Sequence, residues 1–251
     1  MAAVELRGVS FRYAGGPPVL RGVDLVVSEG EAMLLTGPTG SGKTTLCRVL
    51  TGLVPRLYGG KLSGYVRVLG VDPSAHGPLR GRVAYVSHNP EEQILFPTIG
   101  DELISRSPCL NGFEEGVLRR ALRVVGLGRG VSDAVLELSE GEKQRVALSS
   151  LTICRYDLII LDEALPLIDP EPASKLLSHL MRLRAGGTSI IIVEKDPIIV
   201  RELLDHGVSL AIMIEGSIKF LKRRASPETL VRAGELIKHP FVRGLIKYGL
   251  T

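Results

Sequence analysis

Leu138-Ser139-Glu140-Gly141-Glu142-Lys143-Gln144-Arg145, then Leu158-Ile159-Ile160-Leu161-Asp162-Glu163, then Ile168-Asp169-Pro170, is the run that decides how this chain is read. A hydroxyl at Ser139 and a carboxylate three residues on, at Glu142, form a capping box at a helix start. Many soluble helices begin this way, so the box alone carries no function. The second segment is a short apolar run, as a buried strand requires, and it delivers two carboxylates at its end.

Upstream stands Gly37-Pro38-Thr39-Gly40-Ser41-Gly42-Lys43-Thr44, with Thr45 following. It matches G-x-x-x-x-G-K-[ST] in full. An apolar strand pattern precedes it and a helical pattern follows. Glycines let backbone N–H groups turn inward around phosphates, and the following helix points its positive end at them. Lys43 is expected to pair with the β- and γ-phosphates, and Thr44 to bind Mg²⁺ through its hydroxyl.

Outward from these segments, strand and helix patterns alternate. Residues 4–13 and Val19–Val27 read as strands on either side of a Gly-Gly-Pro-Pro turn at Gly15–Pro18. Ala32–Thr36 reads as a short buried strand, Lys43–Thr51 as a helix, and Gly64–Leu69 and Arg82–Val86 as strands. From Thr98 to Leu151 helical spacing takes over, as in Val117, Leu118, Ala121, Leu122 and Val125. Strand–helix alternation resumes with Leu158–Leu161, Glu171–Arg184, Ser189–Val193, Ile198–Leu204 and Val208–Ile214. That order predicts an α/β fold with a mostly parallel sheet and flanking helices. The last thirty residues read as an amphipathic helical tail.

The three segments, in this order and spacing, resemble those of the ATP-binding-cassette (ABC) ATPases, the motors of ABC transporters. The resemblance runs from about Val4 to Phe220. It implies a P-loop NTPase of ABC type: a mostly parallel core, an N-terminal antiparallel β subdomain and an inserted helical subdomain at about 90–152. Residues 1–220 would form the ATPase domain and 221–251 the tail. It implies ATP and Mg²⁺ as ligands. Asp162 would hold Mg²⁺ through water, and Glu163 would activate or orient the attacking water. Tyr13 falls where the family stacks an aromatic on adenine, although Phe11 and Tyr13 share a strand face and both could be core. Ser139 and Gly141 would serve in trans, capping the γ-phosphate held by a second subunit of a head-to-tail dimer.

Four residues, at three places, depart from the family. His88 stands where a glutamine usually contacts the metal site, and Gln93 nearby lies beyond the Asn89-Pro90 step. Lys195 stands where a histidine is usual, and it cannot accept a hydrogen bond as neutral imidazole can. Glu140 and Glu142 replace the commoner glycine and glutamine of the signature. Two readings follow. In one, the chain binds ATP, hydrolyses it slowly and pairs with a more regular ATPase. In the other, a homodimer works with Lys195 doing the histidine's task.

Asn89–Leu103 resembles the corresponding region of energy-coupling factor transporter ATPases. These import vitamins or transition-metal ions such as cobalt and nickel, often with two different ATPase chains on one membrane subunit. The implied partners are a second ABC ATPase subunit and an integral membrane coupling subunit. The alternatives are a stand-alone cytosolic ABC ATPase, as in iron–sulfur assembly, and a nonhydrolytic ATP-binding subunit.

Composition narrows the rest. The 251 residues carry a net charge of +4, too small an excess to argue for nucleic acid. Lys219, Lys222, Arg223 and Arg224 read as a solvated edge. No apolar run is long enough to span a bilayer, and Met1–Glu5 lacks the parts of a signal peptide. The expectation is a peripheral protein on the cytoplasmic face of the membrane. Three cysteines without a C-x-x-C spacing predict reduced thiols.

Overall fold

The computed structural model describes residues 1–77, 79–166, 169–225 and 238–249. Ile168 and residues 226–237 of the expected tail lie outside the described residues. The chain divides into two compact units, Met1–Leu79 with Ser189–Thr251, and Arg80–Thr188.

In the first unit, β1 (Ala2–Arg12) pairs antiparallel with β2 (Pro18–Ser28) and β4 (Lys61–Val68). The half-buried alternation expected of β1 is present but broken. Val4 and Leu6 are buried on one side of Gly8, Val9 and Phe11 on the other, with a register shift between Leu6 and Val9. A bulge of this kind shifts the burial pattern by one residue. A second sheet is built on β3 (Ala32–Thr36), flanked in parallel by β7 (Ser189–Val193) and β8 (Ser209–Ile214). Every residue of these three strands is buried, the continuous apolar run that a parallel sheet covered on both faces demands.

One strand escaped the sequence reading. β9 (Ser217–Lys222) closes the edge, antiparallel to β8. Arg223 beyond it is not merely solvated: its guanidinium pairs with buried Glu31 and donates to the Ser28 hydroxyl and the Val26 carbonyl. α1 (Lys43–Leu50) and the single turn α2 (Pro73–His76) belong to this unit. So do α7 (Pro197–Asp205) and, packed against it, α8 (Pro240–Gly249).

In the second unit, β5 (Val83–Val86) and β6 (Leu158–Asp162) run parallel, with Val86 opposite Leu161. Between them lie α3 (Ile99–Arg106), α4 (Glu115–Val124) and α5 (Glu140–Ser149), with α6 (Pro170–Ala185) following β6. Thr98 caps α3 by accepting the Asp101 N–H. Leu118, Ala121 and Leu122 bury one stripe of α4, as their spacing predicts.

The expectation of reduced thiols fails for two of the three cysteines. Cys109 and Cys154 form a disulfide across 45 residues, and Cys47 is buried and outside that bond. Neither partner sits in a recognisable spacing. The segment after α3 and the segment before β6 meet only through the fold, so sequence could not pair them.

Candidate nucleotide site and signature helix

The phosphate loop follows from β3. The strand ends at Thr36, and Gly37 continues with φ of +155°, where an added Cβ would lie 2.0 Å from the Met213 carbonyl oxygen. Only glycine fits that approach to β8. Thr39 and Gly40 are exposed at the loop tip. Gly42, at φ of +103°, is the N-cap of α1 and brings no side-chain cap. No acidic residue stands in the first turn of α1. This is the N-terminus an anion needs: donors oriented outward and no carboxylate competing for them. The buried Lys43 ammonium folds back over the loop and donates to the Gly37 carbonyl at 2.8 Å and the Pro38 carbonyl at 3.1 Å. Thr44 is half-buried in the first turn of α1.

Tyr13 lies just past the end of β1, half-buried and edge-on to Phe11 at 4.8 Å. Its hydroxyl lies 3.3 Å from the Thr45 hydroxyl and accepts from Arg48, also at 3.3 Å. Arg48 in turn stacks over Tyr58 at 4.4 Å. Tyr13 is therefore tethered to α1, while Phe11 is core.

Lys195 emerges at the same sheet edge as the phosphate loop. β3 and β7 run parallel with Leu35 opposite Val193, so Gly37 and Lys195 each stand two residues beyond that pair. Lys195 is exposed. Beneath it, buried Glu194 accepts the N–H groups of Lys195 at 2.7 Å and Asp196 at 2.9 Å, which fixes the turn.

The second unit assembles its own group. β5 and β6 end together, so the Ser87-His88 step and the Asp162-Glu163 pair leave one edge. Asp162 is fully buried and accepts from the Tyr85 hydroxyl at 3.3 Å. Glu163 is half-buried with φ of +51°, an uncommon conformation for a side chain of this kind. His88 is exposed. Gln93 spends its amide inside the loop: its oxygen accepts the Ser87 N–H at 3.0 Å, and its nitrogen donates to the Ser87 hydroxyl at 2.8 Å. It is a scaffold for the His88 loop.

Ser139 and Glu140 are exposed at the start of α5. The capping box is complete. The Glu142 N–H donates to the Ser139 hydroxyl at 3.3 Å, and the Glu142 carboxylate accepts from the Ser139 N–H at 2.9 Å and its hydroxyl at 3.0 Å. Sequence reasoning missed Arg129, which donates to Glu142 at 2.8 Å. Arg129, then the Ser139 donors, hold the Glu142 carboxyl down to about 2. An Arg in a glycine-rich segment carries no signal that it will reach a helix start.

The family profile for the ABC transporter matches residues 20–166. The chain belongs to the ABC transporter family. Its ATP-binding cassette is 33% identical over 222 residues to a putative ABC transporter ATP-binding protein of Methanosarcina acetivorans, covering 86% of this chain and 34% of that one. Against the nickel import ATP-binding protein NikO of Rhodobacter capsulatus it is 35% identical over 219 residues, 83% of this chain and 85% of that one. The cassette spans 34% to 38% of the length of four of its relatives. Among solved structures, cbiO1 of Clostridium perfringens, part of the ABC transporter complex cbiONQ, shares the fold. Its TM-score is 0.68 at 22% identity, covering 98% of this chain and 99% of that one. A dimeric ATP-binding cassette bound to ADP and Pi has a TM-score of 0.72 at 21% identity, covering 89% and 99%.

Proposed function

We propose that this cassette powers an ABC importer of the energy-coupling factor type, for a vitamin or transition-metal ion. It would act at the cytoplasmic face of the membrane with a second ATPase subunit. The observation that carries ATP binding is the uncapped, acid-free N-terminus of α1 behind a loop in which Gly37 admits no side chain. The likeness to a nickel import protein along most of both chains supports the importer class. Among the described residues no helix is long and apolar enough to cross a membrane, so the reading includes an integral membrane partner.

A cavity within the second unit supports this reading as a docking place. It measures about 560 Å³ and is lined by Leu95, Phe96, Tyr85, Leu151 and Tyr156, with Leu95 81% exposed at its rim. Arg80, Gln93, Glu102 and Arg106 also line it, and a groove of mixed apolar and charged lining suits an amphipathic helix.

The donor chemistry fits Mg²⁺. Thr44 in the first unit and Asp162 in the second each carry a hard oxygen donor of the kind Mg²⁺ takes. Thr44 would hold Mg²⁺ through its hydroxyl and Asp162 through water, and the ion would neutralise phosphate charge. His88 would supply an imidazole in place of an amide, and Lys43 would bind the β- and γ-phosphates. Glu163 would act on the attacking water, Lys195 would lie toward the γ-phosphate, and Ser139 and Gly141 would face a partner's nucleotide.

We further infer slow turnover at the cassette's own site. The departures His88 and Lys195 belong to that site, and the permanently charged Lys195 replaces a group that can accept a hydrogen bond. Steady-state ATPase assays on the purified chain test this. The expected turnover lies well below about 1 s⁻¹, with MgATP still bound. Brisk turnover that disappears in Glu163→Gln would overturn the slow-site reading and leave the ATPase reading standing.

A further inference from the structure

Gln144 is fully buried in the second turn of α5, five residues beyond Ser139. Its amide nitrogen donates to the Ser87 carbonyl at 3.1 Å and to the Ala164 carbonyl at 3.3 Å. Ser87 directly precedes His88, and Ala164 directly follows Glu163. One side chain of the signature helix therefore holds the backbone on both sides of the second unit's hydrolytic group. The amide orientation is fixed chemically. Reversing it would set an oxygen against two carbonyl oxygens. Its own oxygen is buried and has no hydrogen-bond partner among the described residues, a cost that the two donated bonds offset.

Both anchor points require such a tie. Glu163 sits at φ of +51°, which persists in a non-glycine residue only when its surroundings over-determine it. The Ala164 carbonyl is the next peptide group along, and Gln144 pins it. The Ser87 carbonyl accepts a second bond, from the Gln93 amide at 3.1 Å, and the Ser87 hydroxyl donates to the Asn89 carbonyl at 3.2 Å. The His88 loop thus moves as one piece with whatever holds Ser87.

We propose that Gln144 is a positioning residue that couples the signature helix to this chain's own Glu163 and His88. A shift of α5 when an anion engages its N-terminus reaches Glu163 through Ala164 and His88 through Ser87. The proposal rests on the ATPase reading above and adds to it a route by which one nucleotide site regulates the other.

The test uses Gln144→Met, which keeps length and apolar fit but donates nothing, alongside wild type. Backbone hydrogen exchange is expected to quicken at least tenfold in both 86–89 and 162–165, with α4 and α6 unchanged. MgATP affinity, read with a fluorescent ATP analogue, should stay within twofold. kcat should fall at least tenfold with KM within twofold. A merely structural role would instead loosen the whole unit. Unchanged exchange in either segment overturns the proposal. If Gln144→Met does not fold, the wild-type side-chain NH₂ of Gln144, followed by ¹⁵N NMR, decides. Protection from solvent supports the tie and free exchange overturns it. A wild type that binds ATP without turnover would refute the ATPase reading, while the exchange data still decide the positioning role.

Discussion

Glu102 offers a test of how the groove is built. It is 1% exposed on α3, and one carboxylate oxygen accepts the N–H groups of Leu95 at 2.9 Å and Phe96 at 3.1 Å. The other pairs with Arg106, one turn along the helix, and Arg106 also donates to the Gln93 carbonyl. The carboxylate thus fixes the backbone of an apolar loop tip whose Leu95 and Phe96 side chains stay exposed. Removing one member of a buried pair costs about 3–5 kcal/mol. Arg106 retains the Gln93 carbonyl and its side chain is 16% exposed, and the backbone at Leu95 borders solvent. These reduce the expectation for Glu102→Ala to about 3 kcal/mol.

Glu102→Gln keeps a carbonyl oxygen for the two N–H groups and loses the charge, for about 1.5 kcal/mol. At a urea slope of about 3 kcal/mol/M, the unfolding midpoints should fall by about 1 M and about 0.5 M. Amide exchange at residues 95 and 96 should rise in the same order. Midpoints within about 0.2 M of wild type for both variants would refute the clamp. So would exchange at both amides unchanged from wild type in the two variants.

Two further outcomes are expected. Glu142 titrates at about 2 in the folded chain against 4.5 ordinarily, so its contribution to capping α5 is whole above pH 4.5 and is lost as pH falls toward 2. Carboxyl ¹³C NMR should follow that midpoint, and Arg129→Gln should raise it; a Glu142 midpoint near 4.5 in the wild type would refute the ion pair. Alkylation under denaturing, non-reducing conditions should label one thiol and, after reduction, three, with reduction costing up to about 4 kcal/mol for a 45-residue separation. Three thiols labelled without reduction would remove the Cys109–Cys154 bond.

The parts legible in sequence are those whose physics is local. Ser189–Val193 and Ala32–Thr36 read with their observed limits, because a strand buried on both faces is a nearly continuous apolar run, here with one polar residue at one end. The phosphate loop is legible because glycine spacing encodes backbone shape directly. β9 was missed because Ser217–Lys222 is an edge strand with no fully buried residue and no clean alternation. Gln144 reads as one letter of a motif. Its role depends on two carbonyls that β5 and β6 bring to one edge. The Cys109–Cys154 bond depends likewise on a meeting of two loops.

The signature's charge illustrates the same point with a consequence for function. By letters, α5 opens with two acidic residues where an anion is expected to dock. In the fold they are not equivalent. Glu142 is spent on the Ser139 donors and matched by Arg129, so its charge is internally neutralised. Glu140 is left, exposed to solvent and salt, where its repulsion is screened. The helix start is thus closer in charge to the commoner glycine–glutamine form than its sequence implies. His88 remains an imidazole where the family carries an amide, and the Lys195 ammonium lacks the acceptor that imidazole has. On the proposed reading, the departures with the greater chemical consequence fall on this cassette's own nucleotide, not on the one its signature would cap. On that same reading, an unequal pair of sites follows from the side-chain chemistry of His88 and Lys195.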